Sequence, residues 1–219
     1  MTSRTLANRH DYLPAAGNDL FLPFYDLLSR ALGSTAVHHT LLAQAGLESG
    51  HTVLEIGCGT GNLTVLAQHA VPGATVIGTD PDPRALARAE RKAPGIRFER
   101  AYAQDLPHPD GSVDRVLSAF MLHHLDADTK AAVAAEAFRV LRPGGRLHIA
   151  DVGGPMTAAD GRAARRSLRS PYLRGNLGDA LPAVLRTAGF ETEQVLSHAH
   201  RTLGRVTYYR ATHPGNARR

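Results

Sequence analysis

Residues 53 to 62 of this 219-residue chain read Val-Leu-Glu-Ile-Gly-Cys-Gly-Thr-Gly-Asn. A short apolar run ends in glycines at alternate positions, Gly57, Gly59 and Gly61, and a helical pattern starts at Asn62. Glycines so spaced let backbone approach a ligand closely, while the N–H groups opening the next helix point towards it. The spacing is G-x-G-x-G. A dinucleotide fingerprint, G-x-G-x-x-G, requires glycine where Asn62 stands. A charged ligand without a phosphate also needs an acid nearby, and Glu55 sits just before the turn. The second acid, Asp80, ends the next apolar run, where a carboxylate can accept from both hydroxyls of a ribose.

Positioning these residues takes alternating strands and helices. Thr52 to Ile56 reads as a strand, Asn62 to Ala70 as a helix stopped by Val71-Pro72-Gly73, and Thr75 to Thr79 as a second strand. Asp82 can cap the next helix with Pro83 in its first turn, where a missing N–H costs nothing. Strands over Ile96 to Arg100 and Val113 to Phe120 follow, then a helix from about Asp128 to Leu141. Arg142-Pro143-Gly144-Gly145 is expected to end that helix before a strand at Arg146 to Val152. A helix at Leu181 to Ala188 and strands at Glu191 to Leu196 and Val206 to Ala211 complete the pattern. The sum is an α/β fold: a doubly wound, mostly parallel seven-stranded sheet. Residues 20 to 47 carry leucines at helical spacing, so 1–48 is read as an N-terminal helical cap and 49–219 as the ligand-binding domain, one structural domain in all.

Bulk properties narrow the partners. The net charge is +5, but residues 1–152 carry 14 basic and 16 acidic side chains and residues 153–219 carry 11 and 4. The excess is a C-terminal, arginine-rich surface with no aromatic interleaving and no nucleic-acid-binding signature, so no nucleic acid partner is expected. No apolar run reaches the roughly 18 residues of a membrane span, so no membrane partner is expected. The single cysteine, Cys58, fits a reducing compartment, and the cytoplasm is the expected location. A homodimer is compatible with these properties.

The chain resembles the class I S-adenosylmethionine-dependent methyltransferases, in particular the ubiquinone/menaquinone-biosynthesis group, whose methyltransferase domains share this pattern. The resemblance rests on VLEIGCGTG at 53–61, GTD at 78–80, DLPHPDGSVDRVLSAFMLHHL at 105–125 and LRPGGRLHIAD at 141–151, with LRTAGF at 185–190 beyond them. It implies S-adenosyl-L-methionine as cofactor and S-adenosyl-L-homocysteine as product. Glu55, Gly57, Cys58, Gly59 and Gly61 would surround the methionine part, Asp80 would hold the ribose, and Pro81 would lie against the adenine. Ala103 and Gln104 would flank the adenine edge, and Ser118, Ala119 and Phe120 would face the sulfonium. Tyr102 stands where the pattern usually has an acid. Tyr25, in FYDLL at 24–28, matches the helix that folds over the cofactor.

Methyl transfer from a sulfonium is an in-line displacement, so positioning supplies most of the acceleration and a base is needed only where the acceptor loses a proton. His123 and His124, after the fourth strand, are the candidate bases, with Tyr25 as a further contact. No histidine spacing marks a metal site, and none is expected. The acceptor is a small molecule, with carbon favoured and oxygen, nitrogen or sulfur open, in quinone or secondary-metabolite biosynthesis. No amino-methylase Pro-Pro-Tyr motif occurs. An NAD(P)-dependent oxidoreductase on the same fold is disfavoured by Asn62 and by the lack of a Tyr-x-x-x-Lys pair. A non-catalytic S-adenosylmethionine-binding domain is disfavoured by the intact acidic pair. Gly153 to Gly178, with Arg162, Arg165, Arg166, Arg169 and Arg174 against Asp160, reads as a solvated basic surface, with a mobile lid that biases the site towards anionic acceptors as the alternative.

Overall fold

The fold was analysed in a computed structural model that describes residues 33–215, the side chain of residue 172 apart. Helix α1 (Ser34–Ala45) is followed by β1 (Thr52–Ile56), α2 (Asn62–Ala70), β2 (Thr75–Asp80), α3 (Pro83–Lys92), β3 (Arg97–Arg100) and β4 (Val113–Ala119). A 3-10 turn (Leu122–His124) leads into α4 (Ala127–Val140) and β5 (Leu141–Val152). Two further 3-10 turns (Ala158–Asp160 and Pro171–Asn176) bracket α5 (Arg162–Ser167). Helix α6 (Ala180–Thr187) precedes the hairpin of β6 (Glu191–His200) and β7 (Gly204–Thr212).

The seven strands form one sheet in the order β3-β2-β1-β4-β5-β7-β6. The first five strands run parallel to their neighbours, and β7 lies antiparallel between β5 and β6. The doubly wound expectation is met. Because successive strand residues point to opposite faces, β1 serves two cores at once. Leu54 and Ile56 join Val116 and Ile149 under Val133, Ala137 and Val140 of α4 and Leu181 and Leu185 of α6. Val53 joins Val76 and Leu117 under Val37 and Leu41 of α1 and Leu63 and Ala67 of α2. The strand order reverses between β1 and β4, so the crevice beyond their carboxyl ends is where such a sheet takes its ligand.

Local signals place most boundaries. The Asp82 carboxylate accepts the Arg84 N–H at 2.9 Å with Pro83 in the first turn of α3, and Asp126 caps α4 through the Thr129 N–H at 2.8 Å. Strand β5 departs from expectation by starting at Leu141 rather than Arg146. Leu141 is buried and pairs with Val113, and the register then shifts before Arg115 meets Arg146. The Arg142–Gly145 stretch is thus absorbed as an irregularity within a strand instead of separating helix from strand. Strands β6 and β7 run longer than the apolar pattern indicates because each supplies the other's hydrogen bonds out to a tight turn at 201–203. Among the described residues no helix is long and apolar enough to cross a membrane.

Candidate functional site

The turn after β1 is built on left-handed backbone at Gly57 (φ 69°), Gly59 (φ 54°) and Gly61 (φ 75°). Two of these glycines are required for space as well. A Cβ at Gly57 would stand 2.4 Å from Met121 Cγ, and one at Gly61 would stand 2.8 Å from Phe98 Cε1 and 2.9 Å from Ala89 Cβ. The turn is pinned to the next strand by the Cys58 N–H, which donates to the Thr79 carbonyl at 2.9 Å. Lys92 ties it to α3, donating from Nζ to the Thr60 carbonyl at 2.9 Å and to Asn62 Oδ1 at 2.6 Å. Asn62, which breaks the dinucleotide spacing, is thereby a structural member of the turn.

Asp80 closes one side. Its Oδ2 accepts the Gly59 N–H at 2.8 Å and its Oδ1 accepts the Asp82 N–H at 2.9 Å. Burial raises its pKa to about 6, against the lowering effect of both N–H groups. Each oxygen keeps a lone pair for a hydroxyl donor. Glu55 is buried more completely. It takes a short hydrogen bond from Thr64 Oγ1 in the first turn of α2, and burial above all raises its pKa to about 8. Cys58 is a buried free thiol whose pKa is raised, first by burial and then by the charges of Glu55 and Asp80.

Pro81 follows Asp80 directly and is half-buried, and its carbonyl accepts from Arg100 Nε at 3.2 Å. The chain returns beside it at Ala101, whose N–H donates to the Asp80 carbonyl at 3.3 Å. Ala103 and Gln104 form the turn closed by the Tyr102–Asp105 bridge, with Gln104 exposed. Ser118 ends up fully buried, its hydroxyl without a hydrogen-bond partner. Ala119 ends β4. Phe120 has φ 57°, a left-handed backbone that costs an ordinary residue about 1 kcal/mol, and its N–H donates to the Ala150 carbonyl at 2.9 Å. Backbone held in such a state at a strand's carboxyl end marks a site at which geometry outranks local stability.

Met121, packed over Gly57, begins the 3-10 turn that carries the histidines. The His123 N–H donates to Asp151 Oδ2 at 3.1 Å, and His123 Nδ1 lies 2.5 Å from Asp151 Oδ1. Asp151, next to last in β5, is 1% exposed and also accepts the Val152 N–H at 2.7 Å. Burial lowers the pKa of His123, but the charge and hydrogen bond of Asp151 outweigh it, so the ring titrates above its ordinary value. Asp151 is kept below the usual range despite its burial, first by the charge of His123 and then by its hydrogen bonds. The His124 ring lies 3.9 Å from that of His123, centroid to centroid, and partial burial followed by the charge of His123 lowers its pKa. A histidine whose Nδ1 is held by a buried carboxylate presents Nε2 as the nitrogen able to take a proton.

The structure therefore brings together the glycine turn, Glu55, Asp80, Phe120 and His123. Tyr25 lies outside the described residues. Asp151, Thr64 and Lys130 were not singled out in the sequence. The available signal for Asp151 was its place at the end of LHIAD, one strand from the histidine doublet. The Gly153–Gly178 segment is tied to the sheet at several points. Asn176 Nδ2 donates to the Val152 carbonyl at 3.1 Å, the Gly154 N–H to the Asn176 carbonyl at 2.7 Å, and Asp160 pairs with Arg205. Met156, Ala164 and Leu173 pack against Val152 beneath it. At the surface Arg165 donates to the Ala158 carbonyl at 3.1 Å and Arg166 to the Thr202 carbonyl at 3.5 Å.

Comparison with known proteins agrees with this geometry. The methyltransferase domain family matches residues 53–145. Demethylmenaquinone methyltransferase of Thermus thermophilus is 34% identical over 202 residues, covering 80% of this chain and 91% of that protein. Its counterpart in Deinococcus radiodurans is 31% identical over 202 residues, covering 86% and 83%. A solved S-adenosylmethionine-dependent methyltransferase from Methanosarcina mazei superposes with a TM-score of 0.65 at 20% identity, over 80% of this chain and 98% of its own, a likeness of fold alone.

Proposed function

The chain belongs to the class I S-adenosylmethionine-dependent methyltransferases of the menaquinone and ubiquinone type, and from that premise we propose that it methylates a carbon of a small hydroxylated ring, with His123 taking the acceptor's proton. The observation that carries this reading is the His123–Asp151 pair, on the turn that follows Met121 where that residue packs over Gly57. The relatives named above act, by their names, on demethylmenaquinone, an acceptor whose reduced ring carries acidic hydroxyls. A cytoplasmic location is part of the same proposal, in keeping with Cys58 as a free thiol.

The residues fit the cofactor. A turn of left-handed glycines with no side chains of their own, beside a buried carboxylate with lone pairs to spare, suits a nucleoside lacking phosphates. Asp80 would hold the ribose hydroxyls, and Glu55 with the turn backbone would face the methionine end. When bound, S-adenosylmethionine supplies a methyl group on positively charged sulfur, a leaving group that needs no acid. Asp151 fixes the tautomer of His123 and stabilises the imidazolium formed when Nε2 accepts the hydroxyl proton. The electron pair left on the oxygen would make the ring carbon the nucleophile towards the methyl group. Water would then take the proton from that carbon, and His123 would return its proton to the oxygen as the aromatic ring is restored.

The test is to incubate the protein with S-adenosylmethionine and a panel of reduced naphthoquinols, phenols, amines and thiols, and to locate any new methyl group by mass spectrometry. Ring methylation that is lost in His123→Gln is expected. Methylation of amines or thiols alone, or an undiminished His123→Gln variant, would overturn the reading.

A further inference from the structure

The chain's lysines are Lys92 and Lys130. Lys92 holds the glycine turn. Lys130 occupies the first place of the inward stripe of α4, three, four and seven residues before Val133, Ala134 and Ala137, yet it is only 3% exposed. Lysine is almost never buried so far unless an opposite charge meets it. The carboxylates that act on its ammonium are Asp151, from the end of β5, and Asp126, from the cap of its own helix.

Gly175 provides room for it. The 3-10 turn at Pro171–Asn176 packs against the histidine turn, and a Cβ at Gly175 would stand 2.7 Å from Lys130 Nζ. Gly175 is not among the glycines with left-handed backbone, and the ammonium is the group that a side chain there would meet first. We propose that Lys130 is a positioning residue for methyl transfer: its buried ammonium, in the first turn of the helix that follows the histidine turn, sets the pH range in which His123 can accept a proton.

The charges facing His123 are few. Asp151 faces it from β5, Lys130 from α4 and His124 from its own turn. Strand β7 contributes Tyr209 beside Asp151, a phenol pushed up to about 12, first by burial and then by the charge of Asp151, and so neutral. The turn at 171–176 contributes Asn176, which carries no charge. With His123 neutral the cluster of ammonium, carboxylate and imidazole has no net charge. Without Lys130, a buried carboxylate would act on the imidazole unopposed and hold its proton more tightly. The field of Lys130 on His123 has the sign this requires, since it lowers the ring's pKa.

This inference rests on His123 as the base, and the experiment separates the two. The pH profile of kcat/KM is measured for the parent, Lys130→Met and Lys130→Arg, and the His123 imidazole is titrated by NMR in each protein with S-adenosylhomocysteine bound. In Lys130→Met the His123 titration and the acid limb of the profile are expected to move together to higher pH by roughly half a unit or more, the size of shift a nearby charge produces. Lys130→Arg is expected to restore both towards the parent. A purely structural lysine would lower the melting temperature and leave the titration in place, and that result overturns the proposal. If Lys130→Met folds poorly, the same titration in Lys130→Gln decides. An active His123→Gln protein would instead defeat the base assignment, while the imidazole titration would still report whether Lys130 acts on His123.

Discussion

Asp151 grips His123 at two points, accepting the backbone N–H on Oδ2 at 3.1 Å and facing ring Nδ1 with Oδ1 at 2.5 Å. One carboxylate thus fixes both the turn and the ring that it presents. Because β4 and β5 are adjacent parallel strands, Asp151, next to last in β5, lies beside the turn that leaves β4.

Asp151→Asn keeps the shape but not the charge. The ring loses the acceptor that fixes its tautomer, and kcat should fall by about 100-fold or more, the range for general-base catalysis. With the anion gone, the pKa of His123 falls, so any remaining acid limb moves to lower pH. Cofactor binding, measured by calorimetry, should change little. An unchanged kcat would remove the pair from the chemistry.

Asp80→Ala is expected to weaken S-adenosylhomocysteine binding by about 2 kcal/mol or more, since a charged acceptor for hydroxyl donors is lost. The buried carboxyl of the parent titrates near pH 6, and its ionised form is the better acceptor. Affinity should therefore decline as pH falls through about 6, and calorimetry from pH 8 to pH 5 tests this. A pH-independent constant in the parent would separate Asp80 from the ligand.

Gly57→Ala combines a left-handed backbone with a Cβ placed 2.4 Å from Met121 Cγ. The backbone part alone costs about 1–2 kcal/mol. Displacing Met121 also disturbs the turn that carries His123. Thermal unfolding should show a loss that Met121→Ala recovers only in part in the double variant, because the second change relieves the clash but not the dihedral strain. Full recovery would show that the dihedral carries no cost.

His148, on β5, is fully buried, and neither ring nitrogen has a hydrogen-bond partner. Burial, then the charges of Arg115, Arg146 and Arg210, lowers its pKa to about 3. The unfolded chain takes up a proton near pH 6.5 that the folded one refuses, so this group's contribution is complete above that pH and is lost as pH falls towards 3. His148→Leu should gain on the parent by roughly 2 kcal/mol between pH 8 and pH 4.5, at most 1.4 kcal/mol per unit. Denaturant melts at the two pH values measure it. An equal difference at both would refute the buried neutral state.

Much of this protein is determined by patterns shorter than ten residues. The glycine spacing at 57, 59 and 61, the apolar run of Thr52–Ile56 and the Asp82–Pro83 cap each have a local physical cause, so strand, turn and helix follow from the sequence without knowledge of their neighbours. Asp80 was legible because a strand end has a known position relative to the turn. The site's proton chemistry was not. His123 stood out as a residue type, but Asp151 lies 28 positions away, and in sequence Lys130 is one polar residue at the start of an apolar helical stripe. Gly175 reads as an ordinary turn glycine. Their meeting depends on β4 and β5 pairing in parallel and on the 171–176 turn folding back against the histidine turn. The same folding back ties the arginine-rich segment to the sheet through Asn176, which composition alone could not indicate. Charge interaction falls with distance and strengthens away from water. Sequence supplies the charged groups, and only tertiary packing sets how close they lie and how dry their surroundings are.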